Sequence, residues 1–188
     1  MVNLDAKGKP CPMPVIMAKK ELEKCEPFSI TVDNETAVNN LTRLANAKGC
    51  TLKTENGDGW FTLEFSAPTI TGEESEKSGS YAVFFNKNTV GCGDDELGHN
   101  LAKMMLYTLT QSDDVPSYVL LMNGGVKLAT EDECAAHLEK LTEMGCTVMV
   151  CGTCLNFFGI ADQVKAGIVS NMYDILTAMQ QVSKVITA

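Results

Sequence analysis

Two small α/β domains in one chain are what the order of elements predicts. Residues 1–68 read as a two-layer β-α-β-α-β-β sandwich, 69–80 as a linker, and 81–188 as a three-layer, mostly parallel α/β domain. Two observations carry this reading. Apolar positions switch repeatedly between alternation and helical spacing along the chain. The stretch Ser66 to Ser80 is small or charged, with no sustained period, which is linker composition. Charge also changes across it: residues 1–68 carry 8 basic and 9 acidic side chains, whereas 81–188 carry 6 and 12.

In the first domain Val2–Asp5 forms a short strand. Pro12–Glu23 is a helix with an apolar stripe of Val15, Ile16, Ala18 and Leu22. Phe28–Val32 is a β-branched strand. Ala37–Lys48 is a second helix, with Val38, Leu41, Leu44 and Ala45 at helical spacing and Gly49 closing it. Thr51–Glu55 and Trp60–Phe65 alternate around Asn56-Gly57-Asp58-Gly59, a hairpin signal. The second domain opens with Tyr81–Phe85, a continuous apolar run suited to a strand buried on both faces. Helix Asp95–Gln111, strand Tyr118–Met122, helix Glu131–Met144 and strand Thr147–Val150 follow, then helix Asn171–Gln181 and a last strand, Val185–Thr187. Strand alternating with helix predicts a parallel sheet with helices on both sides. Ligands of such sheets bind beyond the carboxyl ends of the strands. The loops there are Asn86–Asp95, Asn123-Gly124-Gly125 and Cys151–Phe158.

Composition excludes several classes. The net charge of −9 argues against a nucleic-acid partner, whose affinity comes largely from Lys and Arg on phosphates. No stretch of about 18 apolar residues is present, so no membrane span is expected. The first residues lack a basic end followed by an apolar run, so no secretory signal is expected and the expected compartment is the cytoplasm. There the eight cysteines (11, 25, 50, 92, 134, 146, 151 and 154) would be free thiols, most of them small buried hydrophobes.

Cys11 differs from that background. In Lys9-Pro10-Cys11-Pro12-Met13-Pro14 it precedes the first helix, with Pro12 favouring extended dihedrals at Cys11 and suiting the first helical position. Cys11 is then expected at the N-cap, facing the positive helix end, with Met13 N–H as its nearest donor and Lys7 and Lys9 nearby. A lowered thiol pKa is the expected consequence. The bland reading is an incidental cap at a proline-initiated helix. Cys25 lies 14 residues on, about 21 Å along a helix, and a disulfide needs Cα atoms within about 7 Å. A lone activated thiol suits covalent carriage better than disulfide exchange.

Leu4-Asp5-Ala6-x-Gly8-x-x-Cys11-Pro12-x-Pro14, followed by that element pattern, resembles the TusA/SirA family of small persulfide carriers over roughly the first 65 residues. The resemblance implies that Cys11 holds a sulfane sulfur as a persulfide, received from a cysteine desulfurase or another carrier protein.

A second thiol site is predicted where Cys151-Gly152-Thr153-Cys154 leaves the third strand of the second domain. A Cys-x-x-Cys opening a helix serves as a redox dithiol, half a zinc site or a sulfur acceptor. Zinc is the weakest of these, because no second such pair follows and His99 and His137 stand apart. Neither a metal nor a cofactor is expected. The strand end delivers Cys151 to the rim as the reactive thiol, with Phe157 and Phe158 shielding one side and Cys154 close enough to resolve an adduct. Gly91-x-Gly93-Asp94-Asp95-x-Leu97-Gly98, Asn123-Gly124-Gly125-Val126 and this cysteine resemble the DsrE/DsrF-like sulfur-relay family. In that family the accepting cysteine lies eight residues before a glycine, as Cys151 does before Gly159. Cys154 and Phe157-Phe158 depart from the family pattern and leave both cysteines as candidate acceptors.

Fused in this order, with Cys-Gly-Thr-Cys-Leu-x-Phe and Ser170-Asn171-Met172-Tyr173, the two modules resemble the YedF-type selenium-metabolism sulfurtransferase-like proteins. That resemblance implies a sulfur or selenium carrier working beside selenophosphate production. By analogy with DsrE-like domains it also implies a homo-oligomer assembled through the second domain. The competing reading is a redox or regulatory binding protein in which Cys151 and Cys154 cycle between dithiol and disulfide. Elsewhere, Asp94 and Asp95 read as helix caps, Cys92 as packing at the same edge ahead of a mixed pair with Cys151, and His99 as a surface or hydrogen-bonded lone histidine ahead of a group that assists a thiol there. Cys50 and Cys146 are expected to be buried on entry to strands, and Cys25 and Cys134 to be inert.

Overall fold

The computed structural model describes residues 1–10, 12–69 and 80–188; Cys11 and residues 70–79 of the linker lie outside the described residues. The chain divides into two compact units, Met1–Ser75 and Glu76–Ala188.

The first unit runs β1 (Val2–Asp5), α1 (Met13–Leu22), β2 (Phe28–Val32), α2 (Glu35–Ala47), β3 (Leu52–Asn56) and β4 (Phe61–Phe65). Its four-stranded sheet has the order β1-β2-β4-β3. β1 pairs with β2 in parallel, and the other pairs are antiparallel. Ala18, Leu22, Leu41 and Ala45 from the helices close over Ile30, Val32, Leu63 and Phe65. Phe28 and Phe65 are register partners and stack at 4.7 Å between centroids.

One expectation near Cys11 needs correction. Pro12, not Cys11, is the N-cap of α1, and its carbonyl accepts from Val15 and Ile16 N–H at 3.0 and 3.2 Å. The Met13 N–H expected to face the Cys11 thiol instead donates to the Pro10 carbonyl at 2.9 Å. The prolines have no N–H to give, so the first turn closes on the nearest free amide, one residue later than predicted.

The second unit comprises β5 (Tyr81–Phe85), α3 (Asp95–Leu109), β6 (Tyr118–Leu121), a 3-10 stretch (Asn123–Thr130), α4 (Asp132–Glu143), β7 (Thr147–Cys151), α5 (Gly152–Phe158), a 3-10 turn (Ala161–Gln163), β8 (Ile168–Ser170), α6 (Met172–Gln181) and β9 (Lys184–Thr187). Its five strands are ordered β8-β7-β6-β5-β9, and every pair is parallel. Right-handed crossovers put α3 and α4 on one face. α6 returns from one edge strand to the other and therefore covers the opposite face. The core is built from Val83, Phe85, Leu120, Leu121, Val148 and Val150 with Leu106, Leu138 and Leu141 from the helices. β8 is an element the sequence reading lacks. It is three residues long, and Val150↔Val169 and Cys151↔Ser170 extend β7 to Cys151.

Candidate thiol sites

The residues leading to Cys11 are tied to the first unit. Ala6 N–H donates to the Thr31 carbonyl at 2.8 Å, continuing the β1–β2 pairing past Asp5. Gly8 N–H donates to Asp33 Oδ2 at 2.5 Å, and this bond, foremost, holds the Asp33 carboxyl below its ordinary value. Lys9, Pro12, Pro14, Asn34 and Ala37 line a small hollow between the starts of α1 and α2. Cys11 itself lies outside the described residues.

At the carboxyl edge of the second sheet the geometry differs from the expectation. Cys151 ends β7, but it is only 2% exposed, because β8 pairs alongside it and α5 begins at the next residue. Gly152 permits that closeness: a Cβ there would lie 3.1 Å from Val169 Cγ1. Cys154, one turn into α5, is the more open of the two, and it packs against the core. Its Sγ accepts from Asn123 N–H at 3.1 Å and also meets the Cys151 thiol. Burial first, and then Cys151, push the Cys154 thiol above its ordinary value, while the Asn123 amide opposes them. Phe157 is 83% exposed and so shields neither sulfur, whereas Phe158 lies under the Lys127 ammonium at 4.8 Å.

Asn123 is a residue sequence reasoning missed as a thiol partner. It adopts φ 47°, which asparagine tolerates better than most residues. The next turn is fixed by Gly125, whose N–H reaches the Met122 carbonyl at 2.8 Å. A Cβ on Gly125 would fall 2.2 Å from the Phe85 carbonyl oxygen, so only glycine fits there. The signal was present as Asn-Gly-Gly at a strand end, without anything to say which way the Asn123 amide points.

Asp94 caps α3 as expected, accepting from Leu97 N–H at 2.8 Å. His99 is half-buried and engaged through both ring nitrogens: Nδ1 lies 2.9 Å from the Asn88 carbonyl and Nε2 2.9 Å from Glu131 Oε2. It therefore ties the β5–α3 loop to the start of α4. Cys92 is exposed instead of packed, with Lys87 Nζ donating to its Sγ at 3.0 Å. Cys50 and Cys146 are buried as expected, Cys134 is buried as well, and Cys25 is exposed. Burial, then the Glu131 carboxylate, pushes Cys134 up to about 12, and burial does the same for Cys146. Among the described residues no group of three or more His, Cys, Asp or Glu side chains could hold a metal ion. None of their helices is long and apolar enough to cross a membrane.

Two family matches bear on these sites. The DsrE/DsrF-like family matches residues 81–188. The chain belongs to the DsrE/DsrF-like family. Ahead of that domain, residues 2–66 match the family described as Sulfurtransferase TusA. A TusA-like domain is thus fused to a DsrE/DsrF-like one, and both families are sulfur-relay families. Among solved structures, a SirA-like protein from Desulfitobacterium hafniense is 32% identical over 36% of this chain and 99% of its own, with a TM-score of 0.35. The YchN protein from E. coli is 16% identical over 58% of this chain and 99% of its own, with a TM-score of 0.46. No curated protein matches the chain.

Proposed function

We propose that this protein is a cytoplasmic sulfur or selenium carrier of the YedF type. Cys11 holds the cargo as a persulfide or selenosulfide, received from a cysteine desulfurase or another carrier, and the Cys151–Cys154 pair receives it in turn. The observation that carries this reading is the pairing of two sulfur-relay domains, the second of which sets Cys154 between the Asn123 amide and Cys151. The transfer balances without an external oxidant. A Cys154 thiolate attacks the outer sulfur of the Cys11 persulfide, the S–S bond breaks, and Cys11 leaves as thiolate. Attack by Cys151 on the inner sulfur of the Cys154 persulfide then closes a disulfide and releases hydrosulfide. This order exchanges the two roles expected from sequence, because Cys151 is buried and Cys154 is the thiol a donor reaches.

The selenophosphate-synthesis machinery is the acceptor class that the YedF-type resemblance suggests. Self-association through the second domain is supported by apolar side chains left in solvent on α5, β8 and α6, among them Phe157, Ile168, Met172 and Tyr173. The second reading, a redox or regulatory binding protein, is favoured by the proximity of the two thiols at the start of α5, close enough for Cys151 to raise the Cys154 thiol. The mass of the protein after incubation with a cysteine desulfurase and cysteine separates the two. One added sulfur on Cys11 is expected; loss of two hydrogens at Cys151 and Cys154 with Cys11 unchanged would overturn the carrier reading.

A further inference from the structure

The loop from β5 to α3, residues 86–94, folds back on the helix it precedes. Val90 N–H donates to the Gly98 carbonyl at 2.9 Å, and His99 holds the Asn88 carbonyl. So anchored, the loop sets the Lys87 ammonium 3.0 Å from Cys92 Sγ, with both residues exposed. The hydrogen bond to Cys92 and its charge, in that order, hold Lys87 above the ordinary lysine value. Lys87 and Cys92 line an open cleft of about 540 Å³ with Asn88, His99, Asn123 and Lys127. Asn123 is the residue whose amide reaches Cys154. A Cβ on neighbouring Gly124 would lie 3.5 Å from Lys87 Cα. The Asn123-Gly124 turn therefore has the Cys154 thiol on one side and the Lys87–Cys92 pair on the other. An ammonium beside a thiol is a setting that favours the nucleophilic thiolate.

We propose that Cys92, with Lys87 as its counter-ion, is a second sulfur-accepting thiol of this domain, taking a sulfane sulfur from a persulfide presented at the cleft. The proposal rests on the carrier reading above and adds a station to it. The Cys92 thiolate attacks the outer sulfur of the persulfide, that sulfur's bond to the donor breaks, and the donor departs as thiolate; no electrons leave the pair. The donor is a persulfide either on Cys154 across the turn or on a small free thiol whose carboxylate meets Lys127.

The test treats reduced full-length protein with cysteine persulfide and reads each cysteine-containing peptide by mass spectrometry over time. Cys92 is expected to gain one sulfur atom. In K87M it gains it about threefold more slowly, the scale of an exposed ion pair, with Cys11 in the same sample as the control for donor. Both side chains are exposed, so neither K87M nor C92S empties the core. C154S separates the sources: loading of Cys92 that disappears identifies Cys154 as the donor, loading that persists identifies the free persulfide, and either supports the site. A bare Cys92 in protein whose Cys11 or Cys154 is loaded overturns the proposal, as does loading of Cys92 at an unchanged rate in K87M. Sulfur on Cys92 with Cys11 and Cys154 bare would instead sink the carrier reading and leave this site standing.

Discussion

The cysteines packed into the core of the second unit and those beside its strand-end loops sit in different settings. Cys146 enters β7 at 2% exposure, and Cys134, in the first turn of the covering helix α4, is fully buried. The Val119 amide at Cys146 and the Lys103 charge at Cys134 do not offset burial, and both thiols are pushed to about 12. At the carboxyl end Cys154 accepts an amide hydrogen bond and Cys92 an ammonium one. The chemistry of the side chain is the same throughout. What differs is burial: Cys134 and Cys146 are enclosed, whereas the loops at the carboxyl end leave Cys92 exposed and Cys154 half-buried. A thiol's burial together with the donor it meets therefore sorts packing from function better than its spacing in sequence.

The largest expected effect tests that sorting directly. At pH 8 a thiol with a pKa near 12 is ionised to roughly one part in 10⁴. Alkylation of the native protein should therefore modify Cys92 and Cys154, which solvent reaches, while the buried Cys134 and Cys146 react only after unfolding. Equal labelling across these four would dissolve the comparison. The same buried groups carry a pH signature. Cys134 and Cys146 rise from 9.0 to about 12, and Tyr81 from 10.0 to about 12 by burial and the Asp114 charge. The unfolded chain thus releases these protons first. Their contribution is complete below about pH 9 and is lost as pH rises toward 12. Urea midpoints should fall between pH 9 and 11; a flat profile would mean these groups ionise as freely in the folded protein.

A smaller effect comes from breaking the carboxyl edge itself. Gly125→Ala drives a Cβ against the Phe85 carbonyl, and the turn that aims the Asn123 amide must shift. Overpacking of this kind costs about 1–3 kcal/mol, read as a lowered urea midpoint of the second unit. Cys154 labelling should change along with it, whereas Cys92, held by its own loop, should keep its rate. If both rates stay at their original values, the turn is not what arranges Cys154.

Much of this edge was legible beforehand. Tyr81–Phe85 is a continuous apolar run and Val148–Val150 a shorter one, and their loops had to converge because parallel strands end together. The Asp94 cap was legible too, since an acidic residue before a helical apolar period has one dominant use there. The exposure of Cys151 was not. It turns on Ile168-Val169-Ser170, a three-residue strand too short for alternation to reveal, which seals Cys151 from the side. The Lys87–Cys92 contact was equally hidden, since it depends on how an irregular loop is tied to α3 and not on any period. In the first unit the element order was readable, while the cap of α1 moved by one residue because Met13, flanked by prolines, takes the Pro10 carbonyl.

The smallest expected effect isolates the Cys92 loop from the rest of the edge. Asp94 Oδ1 holds the Leu97 amide at 2.8 Å in the first turn of α3, two residues after Cys92 and four before the Gly98 carbonyl that receives Val90. Asp94→Ala removes that bond from an exposed helix start, a change worth about 1 kcal/mol. The first turn should then fray, carrying with it the Val90–Gly98 tie that keeps Lys87 beside Cys92. Alkylation of Cys92 should lose part of its rate, while Cys154, anchored through Asn123 on the next loop, should not respond. Asp94→Asn retains an acceptor for the same amide and should restore the Cys92 rate. If Asp94→Ala slows both thiols alike, the two loops move as one body and the edge holds a single site; if it slows neither, the loop is kept in place by His99 and the Asn88 carbonyl alone.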